Sequence, residues 1–274
     1  MDNVEREVEG KVVIAKNSKQ IRQYLADDRR FLFHCVEGAF ALGGNPANLD
    51  VLAARGVAYI IIAHLFYRGV ATCANALPYV PDTVFERILN PDQPADTGLT
   101  PLGEQIVNRA LELGIVVDIT HATTLAQEQI FSIAHDHSNR PVISSHNGVQ
   151  GTSGYPLNLS PEAIRRIVAS KGMIGIILSP YWLREPSQQL FGATDVSLVF
   201  KAIDYVYSVA GTYDVIGIGS DLDGFIHPIS GCEDFAHTPA LVAAIRSRYP
   251  SVAERILWGN AVDVLERAWT AGQQ

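Results

Sequence analysis

IVVDITH at residues 115–121 and PVISSH at residues 141–146 decide the fold, because each is a short apolar run that ends on a histidine. A helix-like stretch lies between the two, and the same pattern recurs along the chain. The other runs are FLFHCVEG, VAYIIIAH, MIGIILSP and VIGIGSD, and they stop at Glu37, His64, Ser179 and Asp221. Strands that alternate with helices predict a parallel sheet. We therefore expect an α/β protein of the (β/α)8 TIM-type barrel class.

The polar residues at the ends of these runs are expected to meet, since the carboxyl ends of parallel strands form one mouth in such barrels. Glu37, His121 and His146 offer two neutral imidazoles and a carboxylate, a ligand set that leaves a fourth position open for water at a catalytic zinc ion. Asp221 is either a further metal ligand or the catalytic base. His64 is expected to bind substrate and to assist catalysis by donating to a carbonyl or an oxyanion.

Other chemistry-bearing residues are assigned to structural places. His34 alternates with Cys35 and should face away from Glu37, because side chains in a strand alternate between the two faces. His135 and His137 precede a strand, so they are expected on the surface at the far end of the barrel. Asp223, before Gly224, is interpreted as a turn residue.

Size and composition limit the possible partners. The 274 residues suit one barrel domain spanning residues 1–274, close to the roughly 250 residues typical of such barrels. The net charge is −8, the sequence pI is about 5.4, and no basic cluster occurs, which argues against nucleic acid or an anionic membrane as partner. No apolar run approaches the ~20 residues that cross a bilayer. A small-molecule substrate is therefore expected.

The cysteines and the N-terminus favour a cytoplasmic location. Cys35, Cys73 and Cys232 are widely separated and form no CxxC pair, so neither a disulfide framework nor a thiolate zinc site is indicated. The opening residues, MDNVEREVEGK, are too acidic for a signal peptide and lack an apolar centre.

Capping signals set the predicted helix boundaries. Helix starts are expected at Thr100-Pro101, Ser160-Pro161 and Thr238-Pro239, where a hydroxyl precedes a proline. Helix ends are expected at Gly56, Gly114 and Gly172. The last helix, within residues 254–269, should bury Ile256, Val262, Val264, Leu265 and Trp269. The long connections after His64 and Ser179 are expected to overhang the mouth.

Several motifs together resemble the membrane (renal-type) dipeptidases, peptidase family M19, from about Val12 almost to the C-terminus. These motifs are VEG at Glu37, DITH at His121, PVISSH at His146, GIGSDLDG at Asp221 and the terminal WGNAVDVLERA. The resemblance implies a zinc-dependent hydrolase of dipeptides or similar small amides that uses metal-activated water. It also implies that Glu37 bridges two zinc ions, that His121 and His146 complete the second metal site, that Asp221 assists proton transfer and that His64 contacts substrate.

Two departures from the family pattern change the expectation. The family opens with a strand that ends in His-x-Asp and supplies ligands to the first metal, whereas this chain has no His-x-Asp and its segment KVVIAKN resembles the family's second strand. Leu157 stands where the family has an arginine for the substrate carboxylate. We therefore expect a barrel without its first strand, one well-formed zinc site with the second doubtful, and weakened dipeptidase activity. The open strand edges predict a homo-oligomer.

Two functions other than metal-dependent hydrolysis are also considered. A catalytically silent barrel that binds a metal or a small ligand remains open, because a site without its first-metal pair can hold zinc without turnover. A lyase or aldolase of the Schiff-base type is disfavoured, because Lys171 and Lys201 lie before a strand or within a helix and not at a strand end.

Overall fold

The computed structural model describes residue 6 and residues 12–95, 97–188 and 192–271 of the chain. Parallel strands alternate with helices through this part. The strands are β1 Val13–Ile14, β2 Phe31–Leu32, β3 His34–Glu37, β4 Val57–Ile61, β5 Val116–Asp118, β6 Val142–Asn147, β7 Ile174–Ile176 and β8 Ile216–Ile218. The longer helices are α1 Ser18–Ala26, α2 Asn48–Ala54, α3 Pro101–Leu113, α4 Thr124–Asp136, α5 Pro161–Ala169, α6 Ser197–Ala210, α7 Thr238–Arg248 and α8 Asn260–Ala271.

Six of the strands form one parallel sheet in chain order, from β3 to β8. This order, with helices between successive strands, confirms the predicted α/β barrel of TIM type. Its wall is open among the described residues, because β3 and β8 are edge strands and do not pair with each other. The segment KVVIAKN contributes only β1, which pairs with β2 in a separate sheet and does not extend the larger one.

Side-chain alternation divides the sheet into two faces. Phe33, Cys35 and Glu37 all line a cavity of about 560 Å³ on the inner face, and His34 does not, as the period of two predicts. The outer residues Ile60 and Val117 belong to the main hydrophobic core with α2, α3 and α4. Burying such large aliphatic side chains stabilises the fold by roughly 1.5–3 kcal/mol each.

The final helix covers part of the inner face. Val264 and Leu265 of α8 pack in one cluster with Val116 and Ile143 from the strands. Both also line the 560 Å³ cavity. The buried side is the one that the sequence predicts, namely Ile256, Val262, Val264, Leu265 and Trp269.

Two of the three predicted helix starts match the structure. The hydroxyls of Thr100 and Ser160 each accept a backbone N–H at 3.1 Å, from Gly103 and from Ala163. The third prediction is wrong in its cap, because α7 begins at Thr238 itself with His237 at the capping position. The Thr238 hydroxyl donates to the Phe235 carbonyl of a preceding 3₁₀ turn, and this bond leaves it engaged outside the helix.

The helix ends differ at one glycine. Gly56 and Gly114 take the predicted left-handed conformation, with φ of 76° at both. After α5 it is Lys171 that is left-handed, with φ of 57°, so the prediction for Gly172 is wrong in conformation. Gly172 has a different requirement, since a Cβ there would overlap the Val142 carbonyl.

No helix within the described part of the chain is both long enough and apolar enough to cross a membrane.

Candidate metal centre at the barrel mouth

Four of the predicted side chains converge at the carboxyl ends of neighbouring strands. Glu37 ends β3, His64 and His121 each follow a strand by three residues, and His146 lies near the end of β6. The Nε2 atoms of His64, His121 and His146 lie 3.6, 3.5 and 3.5 Å from Glu37 Oε1. Nε2 of His121 is also 3.2 Å from Nε2 of His146. Three imidazole nitrogens therefore surround one carboxylate oxygen.

These spacings fit a shared cation better than they fit a hydrogen-bonded network. A tetrahedral zinc ion with ligand distances of about 2.1 Å separates neighbouring ligand atoms by about 3.4 Å. Distances of 3.5–3.6 Å from Nε2 to Oε1 are long for charge-assisted hydrogen bonds but match that separation. His121 Nδ1 is buried without a hydrogen-bond partner among the described residues. The donor set is the nitrogen and oxygen mixture that zinc accepts.

His64 is as well placed as His146 to share such a cation. One ligand atom each from Glu37, His64 and His121 can be chosen so that all lie within 4.8 Å of one another. The rings of His64 and His121 meet edge to face with centroids 5.0 Å apart. Sequence reasoning gave His64 a role toward substrate only, because its position in the chain carries no information on the direction of its ring.

The backbone is strained at two of the predicted residues. His121 has φ of 67° and Asp221 has φ of 54°, left-handed values that residues other than glycine rarely adopt. The His121 carbonyl accepts the Ala74 N–H at 2.8 Å, and the Asp221 carbonyl accepts the Gly224 N–H at 3.1 Å. Such strain costs of order 1–3 kcal/mol and persists only where surrounding contacts fix it, as at functional sites.

Asp118 supports the cluster from below, a role that the sequence analysis did not assign. It is completely buried, and its Oδ1 accepts the backbone N–H of Thr120 at 2.9 Å and of Ser145 at 3.2 Å. Thr120 immediately precedes His121, and Ser145 immediately precedes His146. One carboxyl thus ties together the two strand ends that carry these histidines. The aspartate three residues before His121, within the buried-looking run IVVDITH, was the available signal.

Burial and neighbouring charges set the protonation of the cluster. Burial lowers the pKa of His146 to about 4, and repulsion from His121 adds to this effect. Burial also lowers the pKa of His64. For Glu37 burial acts in the opposite direction, yet the interaction with His121 and the charges of the three histidines hold its pKa below the ordinary value. Neutral imidazoles beside an ionised carboxylate are the forms that bind a metal.

Asp221 reaches the same mouth from the end of β8. It lines both the 560 Å³ inner cavity and a 240 Å³ mouth cavity that also contains Glu37 and His146. Burial, assisted by repulsion from Glu37, raises the pKa of Asp221 to about 6. Gly224 leaves room for this carboxyl, since a Cβ on Gly224 would overlap Asp221 Oδ1.

Other histidines lie outside the cluster, and for His135 and His137 this is the place that the sequence predicts. His135 is exposed, and His137 hydrogen-bonds Asn108 at 2.8 Å at the far end of α4. His227 is exposed and does not line either cavity. Asp223 has a left-handed φ of 67° in the predicted turn, and its side chain also borders the mouth.

The two long connections overhang the mouth. Leu65 and Ala76 from the first and Trp182 from the second line the mouth cavity. The two are joined where the Tyr79 N–H donates to the Tyr181 hydroxyl at 2.8 Å. Asn147 and Trp182 also border the mouth, and sequence reasoning missed both because neither ends an apolar run.

Comparison with known proteins gives the family. The fold and the cluster together define a parallel barrel with histidines and a carboxylate, a set that could hold a metal ion, at its mouth. The family model for membrane dipeptidase (peptidase family M19) matches residues 1–274, so the chain belongs to that family.

Its relatives among characterised and solved proteins are distant. It is 27% identical over 232 residues to dipeptidase aclJ of Aspergillus oryzae, covering 84% of this chain and 50% of the relative. It is 29% identical to dipeptidase tcpJ of Claviceps purpurea, covering 84% of this chain and 49% of the relative. The chain thus spans about half the length of these relatives.

Solved structures share the fold. A metallo peptidase from Rhodobacter sphaeroides, liganded with a phosphinate mimic of the dipeptide L-Ala-D-Ala, superposes with a TM-score of 0.80 at 23% identity. That match covers 97% of this chain and 71% of the other. The probable dipeptidase PvdM from Pseudomonas aeruginosa gives a TM-score of 0.79 at 20% identity, covering 98% and 77%.

Proposed function

We propose that this chain is a zinc-dependent hydrolase of dipeptides or similar small amides. The observation that carries the proposal is the convergence of three imidazole Nε2 atoms within 3.6 Å of Glu37 Oε1. Family membership and the names of the dipeptidase relatives support the substrate class. The single domain, the cytoplasmic location and the small-molecule partner remain part of this proposal, with three free cysteines in support of a reducing compartment.

Glu37, His121 and His146 would hold the zinc ion, with His64 and Asp221 beside them. A bound zinc ion supplies a water of pKa near 7 and polarises a carbonyl. Asp221, whose pKa of about 6 is close to neutral pH, is suited to take a proton and return it to the leaving amine. His64 is placed to donate to the substrate carbonyl oxygen where negative charge develops. Asp118 fixes the backbone on which His121 and His146 stand.

The experiment measures zinc content and hydrolysis together. The purified chain should bind close to one zinc ion. His146→Ala removes a direct ligand, so it should weaken zinc affinity by more than the roughly ten- to hundredfold that loss of an outer-shell partner typically costs. His135→Ala, an exposed histidine at the far end of the barrel, is the matched control. Hydrolysis of small amides should follow zinc content. The proposal would be refuted if neither the wild-type chain nor the His135→Ala control binds zinc.

The silent binding barrel remains the second candidate because of one observation. Among the described residues no strand closes the sheet between β8 and β3, so no metal ligand comes from that position. The ligands of the zinc site all lie on the other side of the mouth. Stoichiometric zinc without turnover of any small amide would establish this alternative. A stoichiometry near two zinc ions per chain would instead show that a second site is complete.

A further inference from the structure

The mouth cavity is lined by one polar group of residues and one apolar group. Its carboxylates and histidines are those of the metal-binding cluster together with Asp221 and Asp223. The apolar residues, called the apolar wall below, include Leu157, Ile177 and Trp182. None of the residues that line this cavity in the described part of the chain is lysine or arginine. A substrate lying across the centre therefore meets no cation at the apolar end.

The apolar wall is rigidly built. Leu157, Ile177 and Trp182 are 6%, 3% and 4% exposed. The neighbouring Asn158 amide donates to the carbonyls of Ser153 at 2.9 Å and Trp182 at 2.8 Å, which holds the two segments of the wall together. A carboxylate pressed against this wall would lose its water without gaining an ionic partner, an unfavourable exchange. The wall thus selects against a charged end.

One buried polar group beside this wall has no hydrogen-bond partner among the described residues. Asn147 is 1% exposed and lines the mouth cavity. Its Oδ1 accepts the Gly148 N–H at 3.0 Å, which fixes the orientation of the amide, and its Nδ2 is the group left unpaired within the described part of the chain. Buried donors are nearly always satisfied, so an unpaired donor on a residue that lines a cavity points to an acceptor supplied by a bound ligand. A neutral amide donor suits the oxygen of a neutral carbonyl.

Aromatic rings extend the wall outward. Trp182 packs against Tyr155 and Tyr181 with ring centroids 5.2 and 4.8 Å apart. Tyr79 adds its ring to Tyr181 at 4.6 Å and is 70% exposed. An apolar or aromatic side chain would be desolvated by these rings.

We propose that the substrates are dipeptide amides and similar amides whose far end is uncharged and apolar, in preference to dipeptides with a free carboxylate. The inference rests on the proposed hydrolytic function and adds its substrate class. In the reaction the oxygen of water bonds to the acyl carbon, the C–N bond breaks, and the departing amine takes the proton. The Asn147 Nδ2 donates to the carbonyl of the uncharged end, and Leu157, Ile177 and Trp182 contact its side chain.

The test compares L-alanyl-L-leucinamide with L-alanyl-L-leucine on the zinc-loaded chain. We expect kcat/KM for the amide to exceed that for the free acid at least tenfold. Leu157→Arg should reverse the order by placing a cation at the apolar end, and Asn147→Leu should raise KM for the amide with a smaller effect on kcat. Leu125→Arg, the same change at a leucine that is 39% exposed outside the mouth, should leave the preference unchanged.

A binding measurement separates this inference from the proposed function. Phosphinate analogues of the two peptides, one ending in a carboxamide and one in a carboxylate, are titrated against the zinc-loaded chain. Tighter binding of the carboxamide without turnover of either peptide would refute the hydrolase and uphold only the preference of the mouth for an uncharged end. Turnover with equal or better use of the free acid would overturn the inference alone. Binding of neither analogue would overturn both.

Discussion

The carboxyl of Asp118 fixes the backbone next to both His121 and His146. Its Oδ1 accepts two backbone N–H groups and the Thr120 hydroxyl, yet burial raises its pKa to about 6. Its Oδ2 is buried and has no hydrogen-bond partner within the part of the chain that the structure describes. The hydrogen bonds to Asp118 Oδ1 therefore fix the strand ends, whereas the buried negative charge is unfavourable. An asparagine side chain, which has the same shape and no charge, should serve the structural role.

Asp118→Asn should stabilise the metal-free chain as pH rises. A carboxyl whose pKa is raised from about 3.8 to about 6 on folding favours the folded state when protonated, and this contribution is lost as pH rises through 6. The total loss is about 3 kcal/mol from below pH 3 to above pH 7, of which about 1 kcal/mol falls between pH 5 and pH 7. Asparagine keeps an oxygen at the Oδ1 position and does not titrate.

The measurement is urea unfolding of the wild type and Asp118→Asn in EDTA at pH 5 and pH 7. The difference in the free energy of unfolding, variant minus wild type, should increase by about 1 kcal/mol from pH 5 to pH 7. Groups elsewhere in the protein titrate equally in both proteins and cancel in the difference. A difference that does not change with pH would show that the Asp118 pKa is not raised.

At the scale of the element, two glycines at the end of β8 have very different surroundings. A Cβ on Gly219, just after β8, would overlap the Ser145 carbonyl of β6, which is fixed backbone. A Cβ on Gly217, within β8, would approach the flexible side chain of Met173, whose sulfur would be 2.8 Å away. The close approach at Gly219 lies next to the irregular register between Ser144 and Asn147.

Gly219→Ala should therefore lower the free energy of unfolding by about 2–3 kcal/mol more than Gly217→Ala does, because forcing extra volume against fixed backbone displaces the strands. Thermal or urea unfolding of the two variants measures the difference. Zinc affinity should also fall in Gly219→Ala, since Ser145 directly precedes His146. Equal unfolding midpoints for the two variants would contradict the close approach seen here.

The sequence was sufficient for the main strands and for the convergence of Glu37, His121 and His146, because β-branched runs with a polar last residue repeat at each strand end. The sequence was insufficient where contacts between distant residues determine the backbone conformation or the direction of a side chain. The left-handed residue after α5 is Lys171 and not Gly172, since Gly172 is needed for its contact with Val142. Asn147 and the ring direction of His64 depend on how neighbouring strands align, which one sequence does not encode locally.

At the scale of the whole molecule, the dominant feature is the opening between β3 and β8. Edge strands expose unpaired backbone groups, and natural proteins cover them or block them. Cys35 lies on β3 at this opening and lines the inner cavity, together with Phe33 and Ile218. Apolar side chains and unpaired strand edges both lie at this opening, and both favour association between copies of the chain. We therefore expect a dimer or larger assembly with its interface at the opening.

Cys35 provides a reporter of that association. It is exposed, whereas Cys73 and Cys232 are buried. Although the residue is exposed by surface area, the protein atoms crowded around its sulfur partly desolvate the thiol and raise its pKa, and the charges of Asp118 and Glu37 add to the effect. Its modification should therefore be slow but complete at alkaline pH. In dilute solution we expect one thiol per chain to react with a thiol reagent, and none in Cys35→Ser. At micromolar concentrations, where sedimentation should detect the assembly, Cys35 should be protected because the partner covers the opening. A monomer at these concentrations whose Cys35 reacts at an unchanged rate would show that the opening stays uncovered.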